Sequence, residues 1–238
     1  MLGEDQLPAY MRILSNRIYS SLMTSGVLDD NRVVTLRNLW ANYKIIKDLV
    51  QDITKNAHVL QIGLTFGGEI NAVYEKVCKQ GKFDIFDVSR VQIKRAQSKY
   101  SHHNIKIMNH NAVMPWTEKY DVIICYNLLQ DVPLKSRRKI MDNVLNGLTN
   151  GGKAIFVDCA KPAWFNPLKW PLFLFNRLYN PFAESLWNEP LENFCSHKDE
   201  FRWQHTYYWG RMHQKTVAVR KILSSDDVKK LTTLFRNE

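Results

Sequence analysis

Apolar residues recur at spacings of three and four over residues 8–24, through Tyr10, Ile13, Leu14, Ile18 and Leu22, which predicts an amphipathic helix. The same period resumes from about Asn31 with Leu36, Leu39, Tyr43, Ile46, Leu49 and Val50, after a break at Gly26 and Asp29-Asp30. From residue 58 the pattern changes. Short apolar runs at His58–Ile62, Phe83–Asp87, Asn104–Met108, Asp121–Tyr126 and Lys153–Asp158 read as strands. Between them Glu69–Lys79, Arg90–Lys99 and Lys135–Leu148 carry helical periods, the last stopped by Asn150-Gly151-Gly152. This alternation predicts βαβ units and an α/β fold, a parallel sheet covered on both faces. Thr206–Trp209 and Thr216–Arg220, joined around Gly210, predict a terminal β-hairpin.

One stretch breaks the alternation. Residues 162–187 are dense in aromatic side chains, and Pro162, Pro167, Pro171 and Pro181 deny them one long helix. Two readings stay open: a buried cover over one sheet face, or a lid that forms an apolar pocket and touches a membrane interface. The chain therefore divides into an N-terminal helical cap over 1–55 and a Rossmann-like domain over 56–238, with the insert at 160–204. Its 238 residues suit one core with insertions.

Composition narrows the picture. A hydrophobic fraction of 45% excludes general disorder, and no run of about 18 uncharged apolar residues occurs that would span a bilayer. The start, Met1-Leu2-Gly3-Glu4-Asp5, lacks the basic-then-apolar order of a secretory signal, so an intracellular protein is expected. Cys78, Cys125, Cys159 and Cys195 are scattered without metal-site spacing and read as plain thiols. The net charge of +10 attracts anionic surfaces, nucleic acid and lipid headgroups alike.

Candidate chemistry begins after the first strand, at Gln61-Ile62-Gly63-Leu64-Thr65-Phe66-Gly67-Gly68-Glu69. A glycine-rich turn between strand and helix lets backbone N–H groups approach a ligand closely. Asp87 follows Gly67 by twenty residues, at the end of the second strand, where a carboxylate accepts hydrogen bonds from a ribose diol. Together these predict a nucleoside cofactor. Thr65 occupies the middle glycine position of the dinucleotide fingerprint, which disfavours NAD.

From about 56 to 160 the chain resembles the class I S-adenosylmethionine-dependent methyltransferases. The resemblance rests on the glycine loop, Asp87, the turn Asn111-Ala112-Val113-Met114-Pro115-Trp116, then Tyr120–Cys125 and Leu148–Lys153. It implies S-adenosylmethionine as cofactor, held by Gln61, Gly63, Thr65, Gly67 and Asp87, with Asn111 and Met114 on the adenine side and Asn127 beyond the fourth strand. Departures stand beside it. Ordinary members carry an acid at the place of Gln61, usually glycine at that of Thr65, and favour Asp at that of Asn111.

Outside that region, Val157-Asp158, Lys161-Pro162, Asn166-Pro167-Leu168-Lys169, Asn180–Trp187 and Thr206–Lys215 resemble the rhodoquinone-biosynthesis proteins. Cys159-Ala160, Arg211 and His213 depart from that pattern. The resemblance implies replacement of a ubiquinone ring methoxy by an amino group, with S-adenosylmethionine as nitrogen source and manganese assisting. It also implies peripheral contact with an anionic membrane, no nucleic-acid partner, and a place on the cytoplasmic side of a bacterial membrane or in a mitochondrial matrix. Two rival readings remain: an ordinary methyltransferase acting on a quinone or other lipid, and a non-catalytic cofactor- or RNA-binding protein.

Asp158, at the end of the fifth strand, is the candidate carboxylate for metal binding or proton transfer, with a structural cap as its alternative. Tyr126 and His110 complete the candidate catalytic set, and Gln130 falls at the same sheet edge. His205, His213 and the aromatic run Tyr207-Tyr208-Trp209 are weaker candidates, and His102-His103 read as solvated.

Overall fold

A computed structural model describes residues 41–65, 68–77, 80–179 and 182–221. The helix expected over 8–24, the start of the second helix, and Phe66, Gly67 and Cys78 lie outside the described residues. The chain runs α1 (Ala41–Gln51), β1 (His58–Ile62), α2 (Glu69–Val77), β2 (Lys82–Asp87), α3 (Arg90–Lys99), β3 (Ile105–Asn109), β4 (Tyr120–Tyr126), α4 (Leu134–Asn146) and β5 (Leu148–Cys159). It continues with α5 (Lys169–Tyr179), α6 (Ala183–Asn188), β6 (Phe201–Tyr208) and β7 (His213–Arg220). These strands form one sheet in the order β3-β2-β1-β4-β5-β7-β6. The first five are parallel, and β7 alone runs against its neighbours. This is a Rossmann-like sheet of the α/β class.

Strand alternation builds two cores. Val59, Ile85, Val122, Ile124 and Ile155 point to one face, where α1 and α2 bring Ile45, Leu49, Ile70 and Val73. Their neighbours Leu60, Ile123, Cys125 and Phe156 point to the other, against Ile140, Met141 and Val144 of α4 and Leu186 of α6. Both faces are covered, which is why β4 reads as an unbroken apolar run. α1 belongs to this packing. The Lys215 ammonium pairs with Asp52 at 2.5 Å and donates to the Asp48 carbonyl at 2.9 Å, while the Tyr208 hydroxyl donates to the Asp48 carboxylate at 3.0 Å.

Several boundaries differ from the sequence reading. α4 stops at Asn146, and Asn150-Gly151-Gly152 lies inside β5 rather than ending a helix. Gly151, at φ 78°, absorbs a register irregularity opposite Tyr120 and Val122, a place for a residue without a side chain. The hairpin strands are longer than the apolar runs suggested, because Phe201–His205 and His213–Lys215 extend the ladder, with Arg202, Gln204, Gln214 and Lys215 interrupting the apolar pattern. The insert folds as two helices and two 3-10 turns, Leu191–Phe194 and Lys198–Glu200. Pro171 sits in the first turn of α5, where a missing N–H costs nothing. His103 is not solvated: its ring packs edge-on against Tyr74 with centroids 4.4 Å apart. Among the described residues, no helix is long and apolar enough to cross a membrane.

Candidate cofactor site

The strand order reverses between β1 and β4, and open α/β sheets bind ligands at the carboxyl edge of such a switch point. Two chain segments leave the sheet there. After β1 the chain turns through Gly63, whose φ of 91° suits glycine. Its N–H donates to the Phe86 carbonyl at 2.8 Å, and the Gln61 amide donates to the Gly63 carbonyl at 3.1 Å. After β4 the chain turns through Asn127 at φ 50°, a conformation asparagine tolerates better than most residues, with its N–H on the Val157 carbonyl at 2.7 Å.

Asp87 organises the loop. Its carboxylate accepts the Leu64 N–H at 2.8 Å and the Ser89 N–H at 2.7 Å, and Asn109 and His110 bind its carbonyl. Burial raises the Asp87 pKa, while the N–H groups of Leu64, Ser89 and Val88 pull it back. A carboxylate so fixed beside a glycine turn retains lone pairs for a diol.

The unexpected member is Glu69, in the first turn of α2. It is fully buried, and its carboxylate oxygens meet only its own N–H and the Gln61 side chain, neither in good hydrogen-bond geometry. Burial pushes it up to about 7, while its own N–H, the Gln61 side chain and the Lys99 charge pull it back. Gln61 Oε1 and Thr65 Oγ1, also buried, lack partners as well. A buried polar atom without a partner costs free energy unless something occupies the place. Here the vacant atoms are oxygens around the start of one loop, a setting suited to a cation that donates hydrogen bonds. The spacing of acids along the sequence could not single out Glu69, because its burial appears only in the fold.

The other candidates are held as follows. Asn111 Oδ1 accepts the Val113 N–H at 3.1 Å and the Met114 N–H meets the Asn111 carbonyl at 2.8 Å, closing a tight turn that leaves Met114 exposed. His110 packs on Phe86 and Trp116, with its Nε2 3.2 Å from the Met114 carbonyl. Tyr126 is buried in the sheet, and burial together with the Glu69 carboxyl raises its pKa, keeping the phenol protonated. Asp158 caps the turn after β4: it accepts N–H groups of Leu129 at 2.7 Å, Gln130 at 3.2 Å and Cys159 at 3.0 Å. Burial and the neighbouring Asp131 push Asp158 up to about 7. His205 lies between Thr216 and Glu192, and burial lowers the His213 pKa. Cys125, Cys159 and Cys195 are free thiols whose pKa burial raises.

The donor set at Asp158 does not suit manganese. Both of its oxygens are taken by backbone N–H groups, and among the described residues no trio of His, Cys, Asp or Glu ligand atoms includes it. Ligand atoms of His58, Asp84 and Glu118 do lie within 4.8 Å of one another, but at the opposite, amino edge of the sheet. His58 and Tyr120 both reach Asp84 at 3.2 Å, so these groups already partner one another.

Residues 59–152 match the family described as a methyltransferase domain. The fold is that of the Rossmann-like methyltransferases. The N-methyltransferase NodS from Bradyrhizobium japonicum WM9, solved with S-adenosyl-L-homocysteine, is 14% identical, with TM-score 0.57 over 90% of this chain and 97% of that one. An O-methyltransferase family protein from Burkholderia thailandensis is 11% identical, with TM-score 0.58 over 80% and 59%. No curated protein matches the chain in sequence. The methyltransferase-domain match runs from β1 into β5, so it contains the glycine loop, Asp87, the Asn111–Met114 turn and Asn127.

One anchor of the insert is a residue that the sequence did not bring forward. Arg137 of α4 is fully buried. Its guanidinium donates to the Leu129 carbonyl at 3.0 Å, the Ser185 hydroxyl at 2.7 Å, and the Val132 and Phe182 carbonyls at 3.2 and 2.9 Å. It also lies over the Phe194 ring. Arg137 thus joins the turn after β4 to α6 of the insert.

Proposed function

We propose that this methyltransferase-fold chain binds S-adenosylmethionine at the β1–β4 switch point and transfers its methyl group to an apolar acceptor. The buried, unpartnered carboxylate of Glu69 carries this reading. With Gln61 Oε1 and Thr65 Oγ1 it would take the ammonium of the methionine moiety, while Asp87 takes the ribose diol. Asn111 and Met114 would flank the adenine, and Asn127 would border the acceptor. Bound there, the cofactor would supply an electrophilic methyl on a sulfonium to an acceptor lone pair, the C–S electron pair staying with sulfur in S-adenosylhomocysteine and any acceptor proton passing to solvent. Asp158 fixes the Leu129–Gln130 backbone beneath the acceptor side. The chain's own residues therefore bind and orient; the sulfonium provides the leaving group.

A second reading, conversion of ubiquinone to rhodoquinone, is favoured by Gln61, Thr65 and the insert. An amide in place of the usual strand acid changes how the methionine end is held, and Lys161-Pro162 with Asn166-Pro167-Leu168-Lys169 resembles the rhodoquinone-biosynthesis proteins. One experiment separates the two. The chain is expressed in a ubiquinone-making bacterium that lacks rhodoquinone, fed methyl-labelled methionine, and its quinones and lipids are read by mass spectrometry. Label in a new lipid product supports methyl transfer, and a quinone with amino in place of methoxy supports amination. Neither product, from soluble protein, would contradict both readings.

A further inference from the structure

Between Asp158 and Glu184 the chain has no acidic residue, but it has Lys161, Lys169 and Arg177. The same segment exposes large apolar side chains: Trp164 is 86% exposed, Phe165 65% and Trp170 74%. Trp170 and Leu174, four apart on α5, share one helix face and are both exposed. A soluble surface seldom shows so many large apolar groups together without a partner.

The segment is clasped to the β6–β7 turn. The Ala160 N–H donates to the Met212 carbonyl at 2.9 Å, and the Ala163 N–H to the Gly210 carbonyl at 2.8 Å. The Asn166 amide donates to the carbonyls of Trp209 at 3.3 Å and Gly210 at 3.2 Å. In that turn Trp209, Gly210 and Arg211 all have positive φ, at 52°, 56° and 66°. Bulky residues seldom take that conformation unless their surroundings hold them there. The result displays Trp209 and Tyr207, with the Arg211 guanidinium 4.4 Å over the Tyr207 ring, beside Trp164 and Phe165. Because β6 runs parallel to β5, this turn and the start of the insert lie at the same carboxyl edge as the glycine loop.

We infer that this aromatic and basic surface docks the protein on a bilayer carrying anionic headgroups. Trp and Tyr settle at the bilayer interface, and Lys and Arg are drawn to its negative surface. The excess of base over acid argues for lipid rather than for a second copy of this chain, whose like charge would oppose a paired contact. The docking is independent of the transfer chemistry, and it would bring the site's open edge to a membrane-dissolved acceptor.

The test is co-sedimentation of the full chain with vesicles of phosphatidylcholine, with and without phosphatidylglycerol, in the absence of cofactor. The protein should bind the anionic vesicles and favour them over neutral ones. Trp164→Ser/Phe165→Ser/Trp170→Ser should lose roughly tenfold or more in partitioning. Lys161→Glu/Arg211→Glu, which keeps the aromatics, should lose roughly tenfold on anionic vesicles alone. Tyr43→Ser, at an exposed aromatic on α1, should bind as the parent does. Circular dichroism and S-adenosylhomocysteine binding show that each variant is folded. Failure of the parent chain to bind, equal binding by the triple variant, or a parent dimer abolished by the triple variant without vesicle binding would each overturn the inference.

Discussion

Glu69 follows the glycine loop directly and is the residue on which the cofactor reading turns. In the free protein burial holds its carboxyl up to about 7, above its ordinary 4.5. The neutral form is therefore favoured in the folded chain, and stability contributed by this group falls as pH rises from the usual carboxylate range to about 7. A bound ammonium reverses that preference, because it favours the ionised form. Affinity for S-adenosylhomocysteine, which carries the same ammonium, should rise with pH up to about 7 and then level off. Glu69→Gln should abolish that pH dependence and weaken binding at pH 8 roughly tenfold or more, the worth of one charge-assisted hydrogen bond. Calorimetric titrations across pH would read both effects, and an unchanged profile in the variant would remove Glu69 from the site. Gln61, Gly63, Thr65 and Asp87 could be read from the sequence because spacing and a strand–turn–helix context locate them. Glu69 could not, since only the packing of α2 on the sheet reveals a carboxylate without a partner. Asp158 was legible as a residue at the right edge, but its three backbone partners were not.

At the scale of elements, α4 and the insert are joined through Arg137. Removing a fully buried guanidinium takes the Arg137 donor from the carbonyls of Leu129 and Val132 and from the Ser185 hydroxyl, while the Phe182 carbonyl keeps only the Ser185 hydroxyl. Arg137→Ala should lower unfolding free energy by about 3 kcal/mol or more, read by urea denaturation, and open the 160–190 segment to limited proteolysis. Unchanged cleavage in that segment would show that something else holds the insert. Periodicity gave no hint of this role, because an arginine in an amphipathic helix reads as surface. The helices and parallel strands were legible because each carries its own period, 3.6 or 2. Their ends were less so. β5 runs back through Gly151-Gly152, and the hairpin extends through Arg202 and Gln204, because backbone pairing at a sheet margin asks little of side-chain polarity.

For the whole molecule, the alternation of strands and helices was enough to indicate a sheet with both faces covered, and the family match over 59–152 agrees with it. The tertiary role of α1 was not visible. Its amphipathic pattern suits any helix on a surface, whereas its attachment depends on Lys215 and Tyr208, more than 150 residues away. The charge of +10 likewise gained meaning only once the fold placed the start of the insert, free of acids between Asp158 and Glu184, beside the β6–β7 turn. What unites these scales is the carboxyl edge, where a loop fixed by Asp87 meets the vacant oxygens of Gln61, Thr65 and Glu69. The most direct test of that account is calorimetric titration of S-adenosylhomocysteine into the purified chain and into Asp87→Ala. One site per chain is expected, with a dissociation constant on the order of micromolar, weakened roughly tenfold or more by Asp87→Ala. Folded protein that gives no binding, or an Asp87→Ala variant that binds as well as the parent, would contradict it.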